Sequence, residues 1–219
     1  MFKNLIFKGS LLTLMVASFS VAVNAHEAWL ERDGSGPVRV YMGPAEGPHP
    51  GHGKEIDVLK NVEIFTQNRN NIAKLSRKND HFEAADVGDG DARMFSDQIW
   101  QPWENRDGQM QGAVFQARAG RSEAVAKLDY EIVPVSQNSN IFTVIYKGQP
   151  VAGNHVMVVT PGKWQKNFTV DAAGRVEVPM TEKGRYILIS DHDVVEDREI
   201  SGQQVKKVTY ISTISFVAK

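Results

Sequence analysis

The sequence contains no cysteine and carries almost no net charge, and each of these absences excludes a class of protein. Its 219 residues include 25 basic and 26 acidic side chains, which gives a formal net charge of −1. Without cysteine there can be no disulfide, no thiolate metal site and no cysteine nucleophile. Without a basic excess, we expect no nucleic-acid partner. A transition metal would have to be held by histidine nitrogen, carboxylate oxygen or a free amino terminus.

Long apolar runs are also scarce, and the one that is present lies close to the amino terminus. Lys3 and Lys8 precede an apolar run at 11–23, and the small residue Ala25 follows it. This pattern predicts a secretory signal peptide at 1–25, because the run is too short to cross ~30 Å of hydrocarbon comfortably. We therefore expect a secreted protein that begins at His26 and does not span a membrane.

The rest of the chain predicts an all-β fold, since short β-branched and aromatic runs alternate with turns rich in Gly, Asn, Asp and Pro. The best helix candidate is short and lies at 122–128. We expect strands at 28–30, 38–42, 62–66, 82–84, 113–117, 128–132, 141–146, 154–160, 168–170, 175–179, 184–190 and 208–217.

These strands fall into two groups, which predicts two small β-sandwich domains of immunoglobulin-like or transthyretin-like type. Residues 26–134 would form the first domain, 135–140 a polar linker, and 141–219 the second domain. The first domain would carry long loops at 43–54 and 86–112, and loops of that length are often functional. In the last strand, one face would carry the apolar residues Val208, Tyr210, Ile214 and Phe216.

Several segments occur in an order that characterises a known family. They are His26-Glu27-Ala28-Trp29-Leu30-Glu31, Leu128-Asp129-Tyr130-Glu131-Ile132-Val133-Pro134, Gly148-Gln149-Pro150-Val151-Ala152-Gly153 with Asp171-Ala172-Ala173-Gly174-Arg175, and the stretches 186–192 and 210–216. In this order they resemble a family of bacterial periplasmic proteins assigned to cobalt and nickel transport, although 57–111 departs from its pattern. The resemblance implies a periplasmic, non-enzymatic protein that binds nickel or cobalt. It would serve an inner-membrane metal transporter or an outer-membrane receptor.

His26 is the sharpest candidate ligand. Cleavage after Ala25 would give it two nitrogens in one chelate, the α-amine and a ring nitrogen. Because the α-amine has a reference pKa near ~8, a metal ion can displace its proton at neutral pH. Such a site suits nickel, cobalt, copper or zinc, and Cu(II) is favoured on affinity alone. The alternative is that His26 only marks the cut and has an ordinary exposed ring.

Three further histidines are candidate metal ligands. His49 and His52 lie three residues apart in a loop rich in Gly and Pro, where they converge only if the loop folds around an ion. His192 stands between two aspartates just after the predicted strand 184–190, where carboxylates would raise the basicity of its ring. The resemblance places a histidine there as well. The alternatives are a solvated loop for His49 and His52 and a surface turn for His192.

Two other features of the sequence indicate a structural role and no role in binding a metal ion. His155 shares a predicted strand face with Met157 and Val159, so we expect it to be core or half-buried. The acidic turn at 86–91 lacks the ligand spacing and the closing Glu of an EF-hand, so we expect it to be solvated.

Trp100 and Trp103 are compatible with a second function. Two tryptophans in a polar loop can stack on a sugar, cover a site or pack the loop onto the sandwich. They support the alternative of a metal-free periplasmic module that binds a protein or glycan partner. A third alternative is a copper oxidase with an amino-terminal histidine brace.

Overall fold

A computed structural model describes residues 26–47 and 51–219 of the chain. The predicted signal peptide and His49 lie outside these residues. The described residues are mostly strands, with one 3-10 helix at Gly53–Asn61. No helix in the two described ranges is long and apolar enough to cross a bilayer. The prediction of an all-β fold with sandwich-like sheets is confirmed.

The described residues form sixteen strands, most of them short. In chain order they are β1 (Glu27–Arg32), β2 (Val38–Gly43), β3 (Glu63–Phe65), β4 (Leu75–Arg77), β5 (Phe82–Ala84), β6 (Ala92–Ser96), β7 (Trp103–Glu104), β8 (Met110–Ala119), β9 (Tyr130–Pro134), β10 (Ile141–Tyr146), β11 (Gln149–Pro150), β12 (His155–Val159), β13 (Gln165–Thr169), β14 (Arg175–Glu177), β15 (Gly184–Ile200) and β16 (Gln203–Ala218).

The strands form three sheets that stack in layers. One sheet has the order β1-β2-β5-β4, and a second is built around β10, which pairs with β9, β11 and β14. The largest sheet has the order β13-β12-β15-β16-β8-β6-β3, with β7 also paired to β8. Side chains on one face of this sheet pack against β9 and β10, and those on the other face pack against β1 and β2. The largest sheet is therefore the middle layer.

Alternation along β16 explains how one strand serves both cores. As predicted, Val208, Tyr210, Ile214 and Phe216 share one core, the core that includes β9 and β10. Successive side chains of a strand point to opposite faces, so the odd-numbered residues face β1. Thr213 Oγ1 donates a hydrogen bond to the Ala28 carbonyl at 2.9 Å. β1 is thus held across β16.

The middle sheet contains strands from both sides of the predicted linker. β16 runs parallel to β8 over nine residue pairs, from Lys207 with Gln111 to Ser215 with Ala119. Residues 135–140 form the turn between β9 and β10, which pair antiparallel. The division of the chain into two domains at this point stays a prediction, and the sheet crosses the proposed boundary.

The predicted helix at 122–128 is wrong, since this segment is irregular. Its first amides bind a buried carboxylate. The backbone N–H groups of Ser122 and Glu123 donate to the two oxygens of Asp91, each at 3.1 Å. Side-chain acceptors outside the segment therefore fix its path.

Asp91 belongs to a buried ionic network beneath this segment. Arg118 donates to the carboxylates of Asp91 and Glu131, and Arg93 donates to Glu131 Oε1 at 3.0 Å. Burial acts to raise the pKa of Asp91, but the positive charge of Arg118 and several hydrogen bonds hold it below its ordinary value. The prediction of a solvated acidic turn at 86–91 is wrong for Asp91, whose exposed fraction is 3%.

Candidate functional site

A cleft of about 680 Å³ opens beside the first described residue, and we call it the His26 cleft. Its polar lining includes His26, Glu27, Glu46, His155 and Asp191. Glu27 begins β1 and His26 directly precedes it, and Glu46 comes from the loop after β2. His155 and Asp191 project from neighbouring strands of the middle sheet. Segments that are far apart in sequence therefore place nitrogen and oxygen donors around one space.

The strand register explains why His155 and Asp191 meet at the cleft. Met157 pairs with Ile189 in the antiparallel ladder between β12 and β15. His155 lies two residues before Met157 and Asp191 two residues after Ile189, so both lie on the same face as that pair. Both side chains are exposed. They form the part of the cleft that solvent reaches directly.

Glu27 and Glu46 carry the most unusual electrostatics of the cleft. Glu27 is only 5% exposed. In each of these residues the Oε2 atom is buried and has no hydrogen-bond partner within the described part of the chain. Burial raises the pKa of Glu27 to about 7, and the negative charge of Glu46 adds to that effect. Near neutral pH, a proton or a bound cation would stabilise such a pair.

The two tryptophans of the polar loop line the same cleft. Trp100 and Trp103 form an edge-to-face pair with ring centroids 6.2 Å apart. Trp100 also packs edge-on against Phe115 of the middle sheet at 4.8 Å. The pair therefore packs its loop onto the sheet, and it also gives the cleft an aromatic wall.

The structure places His192 within a strand, and not just after the end of one as the sequence predicts. The predicted strand end at residue 190 is wrong, because β15 continues to Ile200. His192 lies within this strand and pairs with Tyr210 of β16. Because Asp191 lines the His26 cleft and side chains alternate along a strand, His192 points to the opposite face. His192 and His26 are thus separated by the middle sheet.

Tyrosine rings surround His192 on that opposite face. Its ring stacks on Tyr130 with centroids 5.5 Å apart, and it lies edge-on to Tyr146 at 5.1 Å. Tyr130 is fully buried, and its hydroxyl lies 2.7 Å from Ser190 Oγ. Burial is the main reason why the pKa of Tyr130 lies above its ordinary value. These contacts pack the His192 ring among aromatic rings.

The predicted ligands in the Gly- and Pro-rich loop are not brought to the cleft either. His52 is exposed and directly precedes the 3-10 helix, where its amide donates to Glu55 Oε2 at 3.2 Å. It is not part of the cleft lining. His49 lies outside the described residues. Of the three predicted ligands that the structure describes, His26 alone lines the cleft.

Sequence reasoning placed His155 incorrectly. The prediction that it is core or half-buried is wrong, because it is exposed at the cleft. The alternation of side chains along the strand correctly places His155 on one face with Met157 and Val159. However, Val156 and Val158 are the residues of β12 that face the core that includes β9 and β10. Val156 and Val158 alternate with His155 and Met157, and this pattern was the sequence feature that could have indicated that His155 faces away from that core.

The donor groups of the cleft do not form a compact centre. Within residues 26–47 and 51–219, no three His, Asp or Glu side chains form a preformed metal site. No protein-family model and no curated protein matches the chain. The chemistry of the cleft is thus the basis for assigning a function.

Proposed function

We propose that the protein binds a divalent transition-metal ion, nickel or cobalt, in the His26 cleft. It acts in the periplasm and delivers the ion to a membrane uptake system, either an inner-membrane transporter or an outer-membrane receptor. The observation that carries the proposal is the Glu27–Glu46 pair, in which each carboxylate has a buried oxygen without a partner. A cation at this position would satisfy both oxygens and remove the repulsion between them.

The donor set fits a transition metal of intermediate hardness. Glu27 and Glu46 would supply carboxylate oxygen, and His26 would supply a ring nitrogen together with its α-amine once the signal peptide has been removed. Imidazole and carboxylate ligands suit nickel and cobalt, and they also accept copper or zinc. A bound ion would supply positive charge to the cleft and nothing else, because capture and release require no reaction.

The openness of the donor set favours reversible binding. His155 and Asp191 are exposed, so they can join or leave the ion without unfolding any element of the sheet. Metal binding displaces protons from the α-amine and from Glu27, whose pKa is about 7. We therefore expect binding to weaken as the pH falls below neutrality.

Mass spectrometry of the protein purified from the periplasm without chelator tests the proposal. It reports the amino terminus and any bound ion in one measurement. We expect a chain that begins at His26 and carries one nickel or cobalt ion. A mature chain that carries no metal, and that binds none of nickel, cobalt, copper or zinc below about 1 mM, would contradict the proposal.

A form with one glycine added before His26 then tests the chelate. Because the added residue moves the α-amine away from the ring, we expect at least tenfold weaker metal binding. An additional glycine after Lys219 is the matched control, and it should leave the affinity unchanged. Equal affinities of the two extended forms would exclude the amino-terminal chelate while leaving the carboxylate pair to be tested separately.

A second candidate function rests on the aromatic wall of the same cleft. Trp100 and Trp103 offer ring faces and edges on which a glycan or a partner side chain could pack. In this metal-free function, Trp103→Ala abolishes binding of the partner, whereas Glu27→Gln leaves it unchanged. A glycan array screened with the wild type and both variants separates this function from metal binding.

A further inference from the structure

A second pocket, of about 860 Å³, lies beside the buried ionic network, and we call it the Arg121 pocket. Its basic lining consists of Arg32, Arg121 and Lys219, and its apolar lining includes Phe216 and Val217. None of these residues lines the His26 cleft. The pocket has the volume of a small-molecule site.

The two arginines of this pocket keep unused hydrogen-bond donors. A guanidinium has five N–H donors. Arg121 uses one of them, from Nη1 to the Ser139 carbonyl at 2.9 Å. Arg32 donates to the carbonyls of Gly36 at 2.9 Å, Gly90 at 3.1 Å and Ser35 at 3.5 Å. Both side chains are therefore held in place by carbonyl groups and still have N–H groups to offer.

The positive charge of these arginines is not neutralised within the protein. Neither Arg32 nor Arg121 forms an ion pair with any carboxylate in the described ranges. Burial lowers the pKa of Arg121. Removing the solvent from an unpaired guanidinium strengthens its attraction for an anion.

The two acidic residues of the pocket are already engaged elsewhere. Asp33 forms ion pairs with Arg39 and Arg185. Asp91 is bound by Arg118 in the buried network. Their charges are thus balanced by other arginines.

Backbone hydrogen bonds hold the segment around Arg121 in place. The Gly120 amide donates to the Ser215 carbonyl at 2.8 Å, and the Asn138 amide donates to the Arg121 carbonyl at 2.8 Å. The Arg121 guanidinium lies over the ring of Phe216, with its Cζ 4.5 Å from the ring centroid. A ligand that enters the pocket would not have to order this wall.

We propose that the Arg121 pocket binds a small organic oxyanion, with its oxygens on the free N–H groups of Arg32 and Arg121 and its apolar part against the exposed side chain of Val217. Guanidinium forks match the geometry of carboxylates and phosphates and bind either of them. This site is independent of metal binding, because it shares no residue with the His26 cleft.

Calorimetric titration of the mature chain at low ionic strength tests the proposal with three probes: benzoate, phenyl phosphate and inorganic phosphate. We expect saturable binding of at least one aromatic anion. We also expect phenyl phosphate to bind more tightly than inorganic phosphate, because only the former has an apolar group that can pack against Val217. A preference for benzoate would identify a carboxylate ligand, and a preference for phenyl phosphate would identify a phosphate ester.

Three variants connect the binding to the pocket. Arg32→Gln and Arg121→Gln should each weaken the binding of the preferred anion at least tenfold. Arg121→Lys keeps the positive charge but lacks the two-pronged guanidinium, so its affinity should lie between those of the wild type and Arg121→Gln. Arg175→Gln is the matched control, since Arg175 is exposed on β14 and outside the pocket. Thermal unfolding of each variant verifies that it is folded.

Two results would overturn the proposal. One is the absence of saturable binding of both aromatic anions up to about 10 mM by the folded wild type. The other is wild-type affinity in a folded Arg32→Gln variant and in a folded Arg121→Gln variant. Because no metal is added, these results leave the metal proposal unaffected.

Discussion

The negative charge of Glu46 acts on Glu27 within the wall of the His26 cleft. Burial is the larger cause of the raised pKa of Glu27, about 7, and the charge of Glu46 is the next. Both side chains leave Oε2 without a hydrogen-bond partner among the described residues. Two neighbouring carboxylates of this kind lower the stability of the metal-free protein, and binding of a proton or a cation would relieve this destabilisation. The proposed metal binding would therefore be linked to stability through the same two residues.

The first prediction concerns the pH dependence of stability. Because the pKa of Glu27 rises from 4.5 to about 7 on folding, its contribution to stability is present below about pH 4.5 and is lost as the pH rises through 7. Glu27→Gln removes this loss. In metal-free buffer, the variant should be more stable than the wild type at pH 8 by on the order of 1–3 kcal/mol.

Chemical denaturation at pH 5 and pH 8 measures this difference. The advantage of the variant should shrink at pH 5, where Glu27 is protonated in the folded wild type. Glu177→Gln, at an exposed position on β14, should show no such pH dependence. An advantage of equal size at both pH values would contradict the assignment.

The second prediction concerns Gly120, which closes the turn after β8. Its φ is +107°, and a Cβ at this position would clash with Asp91 Oδ1. Gly120→Ala should therefore reduce the free energy of unfolding by about 2–4 kcal/mol. Gly148→Ala is the control, since its φ is +80° and its Cβ would meet nothing within 4 Å. Its cost should be about 1 kcal/mol, and equal costs would contradict the clash.

The third prediction concerns the buried network. Arg118 is fully buried and binds the carboxylates of Asp91 and Glu131. Arg118→Met leaves both acids buried with less positive charge, which should cost about 3–5 kcal/mol. Arg175→Met, at an exposed position, should change stability by less than about 0.5 kcal/mol. A loss below 1 kcal/mol in urea denaturation of Arg118→Met would show that the network is not needed for folding.

The fourth prediction separates His192 from the cleft. His192→Gln removes the stacking on Tyr130 and should cost about 1 kcal/mol of stability, while the nickel affinity stays the same. His155→Gln removes a donor from the cleft and should weaken nickel binding severalfold. The reverse ranking in a nickel titration would place the metal among the tyrosines.

Local patterns predicted most strands because they depend on neighbouring residues. The strand Ile141–Tyr146 has the predicted bounds, since its β-branched and aromatic residues are followed by a Lys-Gly turn. β6 was missed because both of its faces are buried and Arg93 interrupts its apolar run. β15 was predicted too short, because Asp191-His192-Asp193 is typical of a turn and only the pairing with β16 keeps these residues extended.

The candidate site depends on contacts that the sequence does not contain locally. The position of His26 directly after the predicted signal peptide makes it a candidate ligand, and His26 does line the cleft. Its neighbours Glu46 and Asp191 come from a loop and from a strand of the middle sheet, and only the stacking of β1 on that sheet brings them near. His192 was assigned to the site because it follows a strand-like run, but strand alternation turns it to the other face.

The central claim is tested most directly by nickel titration of two metal-free proteins that begin at His26. One is the wild type and the other is the Glu27→Gln/Glu46→Gln double variant. The wild type should bind one nickel ion, and the double variant should bind it at least 100-fold more weakly, which corresponds to a loss of about 2.7 kcal/mol. His52→Gln, which changes a histidine outside the cleft, should bind like the wild type. Unchanged nickel affinity in a folded double variant would contradict the claim that the carboxylate pair of the His26 cleft holds the metal.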